Sequence, residues 1–179
     1  MKNCFHPSRI FIALFLLTTV TVSAQQKMSF DLAVIRQTFH KVNGLNLSAF
    51  YHFNEKLAAG VAMNRFFPVV HKGATLSAWD FDFNAHYLFN LQHHFYFYPV
   101  AGISHTFSKE VSTEPLGEAI NDRFWSLNAG AGLVWQKGKW GLHSEFLYTW
   151  GQFNQEFVLA GLNYEIELGR HHKSGEHHE

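Results

Sequence analysis

The chain has a single cysteine, Cys4, placed ahead of its first apolar run. A lipoprotein cleavage box needs its cysteine just after such a run, so lipidation there is not expected. A chain cleaved behind that run holds no cysteine, which excludes disulfides and thiolate chemistry. Charge is also scarce, at 16% of residues against about a quarter in soluble domains. The formal net charge is zero, which gives no electrostatic case for nucleic acid as a partner. After Ala24 no stretch approaches 18 consecutive apolar residues, so no transmembrane helix is expected. Aromatic residues, by contrast, make up 17% of the chain.

The N-terminus reads as an export signal. Lys2 and Arg9 supply a positive start, residues 10–20 an apolar run, and Val22-Ser23-Ala24 a small-residue cleavage site before Gln25. The run is too short to span a bilayer comfortably, so residues 1–24 are expected to be a cleaved signal peptide rather than an anchor. Removing Lys2 and Arg9 from the 14 basic residues leaves 12 against 14 acidic ones, a formal charge of −2. Residues 25–179 suffice for one domain.

The most informative stretch is 123–136, RFWSLNAGAGLVWQ. Trp125, Leu127, Ala129, Ala131, Leu133 and Trp135 alternate with Ser126, Asn128, Gly130, Gly132 and Val134. Successive strand side chains point to opposite faces, so one face is apolar and bounded by tryptophan at both ends. Ten residues at ~3.3 Å, tilted by ~40°, separate the two indoles by about 25 Å along a barrel axis, the height of a lipid-facing band between aromatic girdles.

The same alternation predicts eight strands, near 29–39, 45–53, 57–66, 75–89, 95–107, 123–136, 140–150 and 156–168. In the fourth, Trp79, Phe81, Phe83 and Tyr87 oppose Asp80, Asp82, Asn84 and His86. The fifth carries aromatics on both faces and leaves its inward set open. Connections after the second, fourth and sixth strands are tight. Those after the third and fifth are expected to be long, the latter covering 108–122, from Ser108 to Asp122. Short inner turns and longer outer loops are the habit of bacterial outer-membrane barrels, and this places both chain ends in the periplasm. The expected fold is therefore all-β, an eight-stranded antiparallel up-and-down transmembrane β-barrel over residues 25–168, followed by a polar, His-rich periplasmic tail, 169–179.

With these features the chain resembles small eight-stranded outer-membrane barrels of the OmpX, OmpW and OmpA-domain kind. It is most similar to the porin-type "outer membrane beta-barrel" family common in Bacteroidetes. The resemblance rests on Val22-Ser23-Ala24-Gln25, on Pro99-Val100-Ala101-Gly102-Ile103-Ser104, on Leu127-Asn128-Ala129-Gly130-Ala131-Gly132 and on Ala160-Gly161-Leu162-Asn163-Tyr164. It implies a Gram-negative outer membrane as location, with membrane lipid, lipopolysaccharide and the barrel-insertion machinery as partners. Such barrels usually end on an aromatic residue. This chain instead passes Ile166-Glu167-Leu168 into its polar tail, leaving Tyr164 or Leu168 to serve.

The predicted site residues fall into three groups. Trp79, Trp125, Trp135, Trp150 and Tyr164 form a lipid-interface girdle. Asp31, Asp80, Asp82, His86, His143, Glu145, Glu165 and Glu167 join a polar lumen network with Asn46, Ser48, His52, Asn64, Asn84 and Asn163, expected to plug a barrel of eight strands. Arg36, Arg65 and Arg123 sit at the outer rim, where a guanidinium suits lipid phosphate. Pairing centred near Phe153 sets His143 opposite Asn163 and Glu145 opposite Gly161.

No catalytic, cofactor or metal residue is predicted. His143-Ser144-Glu145 has the residue types of a lipid A deacylase triad, but alternation sends Ser144 to the opposite face from His143 and Glu145. No His-x-x-x-His spacing marks a metal site. His93, His94, His171, His172, His177 and His178 fall on the predicted periplasmic side, where weak metal binding competes with a plain solvated tail. The expected function is structural or surface recognition without catalysis, with a surface ligand engaged by the 108–122 loop. Two alternatives stand beside it: a lipid A-modifying outer-membrane enzyme, and a soluble lipocalin-like carrier whose apolar faces point inwards.

Overall fold

The computed structural model describes residues 27–71, 73–112 and 119–168. The expected signal, the His-rich tail and residues 113–118 lie outside them. Nine strands appear: β1 (Lys27–Gln37), β2 (Val42–His52), β3 (Leu57–His71), β4 (Ala74–Tyr87), β5 (Phe89–Gln92), β6 (Phe95–Ser112), β7 (Ala119–Lys137), β8 (Trp140–Gly151) and β9 (Gln155–Glu167). β4 and β5 are one stave, interrupted only at Leu88, because both pair with β6 and the register carries across the break: His86 faces Val100 and Phe89 faces Phe97. Every neighbouring pair is antiparallel, β1 pairs with β9, and β4 pairs with β6. The result is a closed barrel of eight staves without a free edge, which satisfies the backbone hydrogen-bonding groups that an open sheet would expose.

The turns carry local causes. At the β7–β8 hairpin only Gly138 has positive φ (+63°), the requirement of a two-residue turn with glycine first. At the β2–β3 turn, Asn54 Oδ1 accepts from the backbone N–H groups of Lys56 and Leu57, both at 2.8 Å, a side chain standing in for a backbone turn acceptor.

Two expectations about the loop end are corrected. The connection after β3 is not long: β3 continues to His71 and β4 starts at Ala74. The ladder shifts register between Phe66 and Val69, around Pro68, whose ring nitrogen has no hydrogen to donate. Nor are residues 108–112 and 119–122, the described parts of the expected loop, irregular. Ser108 pairs with Asp122, Lys109 with Asn121, Glu110 with Ile120 and Val111 with Ala119, so these residues prolong β6 and β7 as a ribbon, flanked on the β6 side by Ala74–Ala78 of β4. Polar residues escaped the apolar alternation used to find strands, yet a ladder needs only backbone groups.

The last hairpin is centred on Gln152. His143 faces Gly161, Glu145 faces Leu159, and Gly141 faces Asn163, two residues from the expected register. A slip of two preserves which face each side chain takes, so His143 and Glu145 still point inwards and Ser144 outwards.

Candidate functional site: lumen and outer mouth

Inward positions are buried and polar at mid-barrel. Ser48 Oγ donates to Asp31 Oδ2 at 2.8 Å, and Asn163 Nδ2 donates to Asp31 Oδ1 at 2.6 Å, tying β9, β1 and β2. Asn46 Nδ2 donates to Asn64 Oδ1 at 2.6 Å, and Asn64 Nδ2 to Asp82 Oδ2 at 2.7 Å, tying β2, β3 and β4. Asp82 also takes hydrogen bonds from Ser104 on β6 and Asn128 on β7. Asn128 Nδ2 donates to Asn84 Oδ1 at 3.1 Å. Tyr98 on β6 hydrogen-bonds Glu145 on β8. The polar belt thus reaches every stave. Its logic is obligatory: a polar group removed from water costs free energy unless it finds a partner.

The lumen is not polar throughout, which corrects the sequence reading. Ala33, Ile35, Phe66, Tyr98, Val100, Leu147, Phe157 and Leu159 form one buried apolar cluster inside the barrel. The Phe66 and Phe157 rings lie 5.5 Å apart, and His86 is stacked between Phe50 (4.1 Å) and Tyr98 (4.8 Å). A residual cavity of about 60 Å³ remains, lined by residues such as Asp31, Asp82, His86 and Glu145. That space holds only a few water molecules. The inward set of β6, open in sequence, is the even-numbered one: Tyr98, Val100, Ser104 and Thr106 are buried.

The remaining predicted lumen residues divide. Asp80 is buried and hydrogen-bonded by Thr106. Glu165 lies near the seam of the chain ends, 3.6 Å from Lys27 Nζ. Glu167, the last residue of β9, is exposed and outside the buried network, a second correction. It stands where the stave ends, so no neighbouring wall covers it.

On the outer face, Trp79, Trp125 and Trp150 lie towards the loop end, and Trp135 and Tyr164 towards the turn end. Trp140, expected to start the seventh strand but not counted in the girdle, is 60% exposed and packs against Tyr164 at 4.7 Å. Its parity with Leu142 and Phe146 was the available signal. Arg65, Trp79, Phe107 and Arg123 form one cross-strand row, with the Arg65 guanidinium 4.8 Å from the Trp79 ring and that of Arg123 5.2 Å from Phe107. Arg36 also points outwards, on β1, but beside Asn43 and Val158 rather than an aromatic ring.

At the loop end the lumen opens into a cup of about 540 Å³, walled by Phe39, Val42, Phe66, Phe124 and Phe153 and bordered by Asp80, Lys109, Glu110 and Asp122. The sequence reading missed it, because its lining comes from six separate stretches of the chain.

The sequence matches no protein-family model and no curated protein. Solved structures do match. The N-terminal β-barrel domain of Pseudomonas aeruginosa OprF superposes with a TM-score of 0.65 at 14% identity, covering 80% of this chain and 100% of that one. Neisserial surface protein A gives 0.61 at 14% identity, covering 79% and 96%. The attachment invasion locus protein Ail of Yersinia pestis gives 0.55 at 17% identity, covering 79% and 97%, and Ail has also been solved in complex with the heparin analogue sucrose octasulfate. At such identities the likeness is one of fold. That fold is the closed, eight-stranded antiparallel barrel of small transmembrane β-barrels.

Proposed function

We propose that this protein is an integral barrel of a Gram-negative outer membrane, of the Bacteroidetes porin-type kind, exported by residues 1–24. It performs structural or surface-recognition work without catalysis. One observation carries the reading: the barrel is apolar outside and holds a buried polar belt within. Leu32, Val61, Phe83 and Leu127 are exposed on the outer face, whereas Asp31, Asn64, Asp82 and Asn128 are buried behind them. In water such a surface would be a continuous aggregation-prone patch; in lipid it is the required one. A lipocalin-like carrier needs the reverse arrangement. A lipid A-modifying triad is opposed by the same geometry, since Ser144 and the pair His143 and Glu145 lie on opposite faces of β8. Trp79, Trp125, Trp135, Trp150 and Tyr164 would sit in the two lipid interfaces. Arg36, Arg65 and Arg123 would meet lipopolysaccharide phosphate, and β9 would be the strand presented to the insertion machinery.

Folded protein should run at a different position in SDS gels before and after boiling, and planar bilayers should show no stable porin-sized conductance, since eight staves leave little lumen. Recovery as a soluble periplasmic monomer would overturn the membrane reading. Reproducible large conductance steps would overturn the plugged lumen.

Recognition is assigned to the β6–β7 ribbon. Replacing residues 109–121 by a two-residue Asn-Gly turn, which can close the Ser108–Asp122 pair directly, should leave the gel shift intact and abolish surface binding. Loss of folding would make the ribbon structural, and binding that survives would move recognition elsewhere.

A further inference from the structure

Asp80 and Asp82 are successive inward residues of β4, yet their surroundings differ. Asp82 is held by Asn64, Ser104 and Asn128. Asp80 receives a side-chain hydrogen bond from Thr106, and its Oδ1 has no hydrogen-bond partner among the described residues although the residue is only 4% exposed. A buried carboxylate oxygen without a donor is costly, and this residue lines the loop-end cup.

The cup suits a small molecule. Its volume of about 540 Å³ falls within the usual range for small-molecule sites, roughly 300–1,000 Å³. Phe66 and Phe124 are buried on the inward faces of β3 and β7, and Phe153 meets Phe124 edge-on at 5.4 Å. The bordering charges are Asp80, Glu110 and Asp122 against Lys109. A neutral apolar molecule would leave Asp80 Oδ1 without a donor, and an anion would meet the acidic excess. A bare metal ion would find mainly apolar and neutral polar walls, and among the described residues no group of three or more His, Cys, Asp or Glu is placed to hold one.

We propose that the loop-end cup binds a small organic ammonium ion with an aromatic body. The ammonium donates to Asp80 Oδ1, and the ring lies against Phe66 and Phe124, whose π faces also attract the cation. This goes beyond recognition by the ribbon and does not rest on it, because Asp80, Phe66 and Phe124 belong to the barrel staves.

The test is calorimetric titration of the full chain in phosphatidylcholine nanodiscs, with empty nanodiscs as blank. Three probes of one shape are compared: naphthylmethylammonium, naphthylmethanol and naphthoate. The ammonium should bind saturably and at least about tenfold more tightly than the other two, the margin of one charge-assisted hydrogen bond. Asp80→Asn should remove that preference while leaving the alcohol's binding unchanged. Equal binding of the three probes, no saturable binding, or a preference that survives in Asp80→Asn would each overturn the proposal. Should Asp80→Asn lose the heat-dependent gel shift, and so its fold, selectivity among the probes on the unaltered chain decides the matter. Loss of surface binding on ribbon replacement tests the ribbon alone, and ammonium selectivity is therefore read on the unaltered chain, where Lys109 and Glu110 still border the cup.

Discussion

Replacing Asp82 with alanine is expected to destabilise the barrel by on the order of 3–5 kcal/mol, because each buried donor left without an acceptor costs about 1–3 kcal/mol and neighbouring losses do not add fully. Three donors depend on this carboxylate. Asn64 Nδ2 lies at 2.7 Å, and Ser104 and Asn128 bond to it from β6 and β7. These staves are consecutive around the wall, so the loss falls on the line where β3, β4, β6 and β7 are held together from within. Asp82→Asn should cost less, since its amide oxygen still accepts, though its NH₂ must find a new acceptor. Ser48→Ala, which removes the donor of one 2.8 Å bond to Asp31, should cost about 1 kcal/mol, the usual net worth of a single hydrogen bond. Equilibrium denaturant unfolding in lipid vesicles, followed by tryptophan fluorescence, gives all three values. An Asp82→Ala loss no larger than that of Ser48→Ala would show that the polar belt fills the lumen without holding it together.

A second large effect separates two adjacent residues of β9. Leu162 is outward and opposes Leu32 on β1 and Leu142 on β8, on the apolar face one outward position from Tyr164. Leu162→Arg should cost up to ~2–4 kcal/mol in a bilayer, the full penalty applying to an arginine at the membrane midplane. Asn163 is inward and buried, with its Nδ2 at 2.6 Å from Asp31 Oδ1. Asn163→Arg escapes the lipid penalty, and the new guanidinium can reach the same carboxylate, although its bulk crowds the lumen. The comparison also tests the environment. In a soluble barrel, Leu162 would already face water at 49% exposure, and arginine there would change stability by no more than the roughly ±0.5 kcal/mol of an ordinary surface substitution. Equal tolerance at the two positions, or tolerance at Leu162 alone, would show that β9 faces the other way.

Alternation was legible in the sequence wherever it had contrast. In β4, aromatic and acidic residues alternate without exception from Trp79 to Phe83, and in β7 small polar residues alternate with Trp125, Leu127 and Leu133; in both, the structure follows that parity. Facing is a property of two neighbouring residues, so one chain segment suffices to state it. The same reasoning located Trp125 and Trp135 on one face and kept Ser144 apart from His143 and Glu145. It failed in β6, where Tyr96, Phe97 and Tyr98 remove the contrast between faces. There Ser104 and Thr106 turn inwards because Asp82 and Asp80 wait for donors on the neighbouring stave.

The sequence by itself determined the number of staves, the two faces of most of them and the inverted polarity of the barrel, because each follows from periodicity along a single strand. Only the tertiary structure decided the register of the last hairpin, the strand character of the acidic ribbon, the apolar share of the lumen and the cup at the loop end. Those features depend on which residues meet across strands, and such meetings bring Phe66 to Phe157, Asn163 to Asp31 and Phe124 to Phe153 from distant parts of the chain. Closing the sheet into a ring made those neighbours, and no local pattern records them.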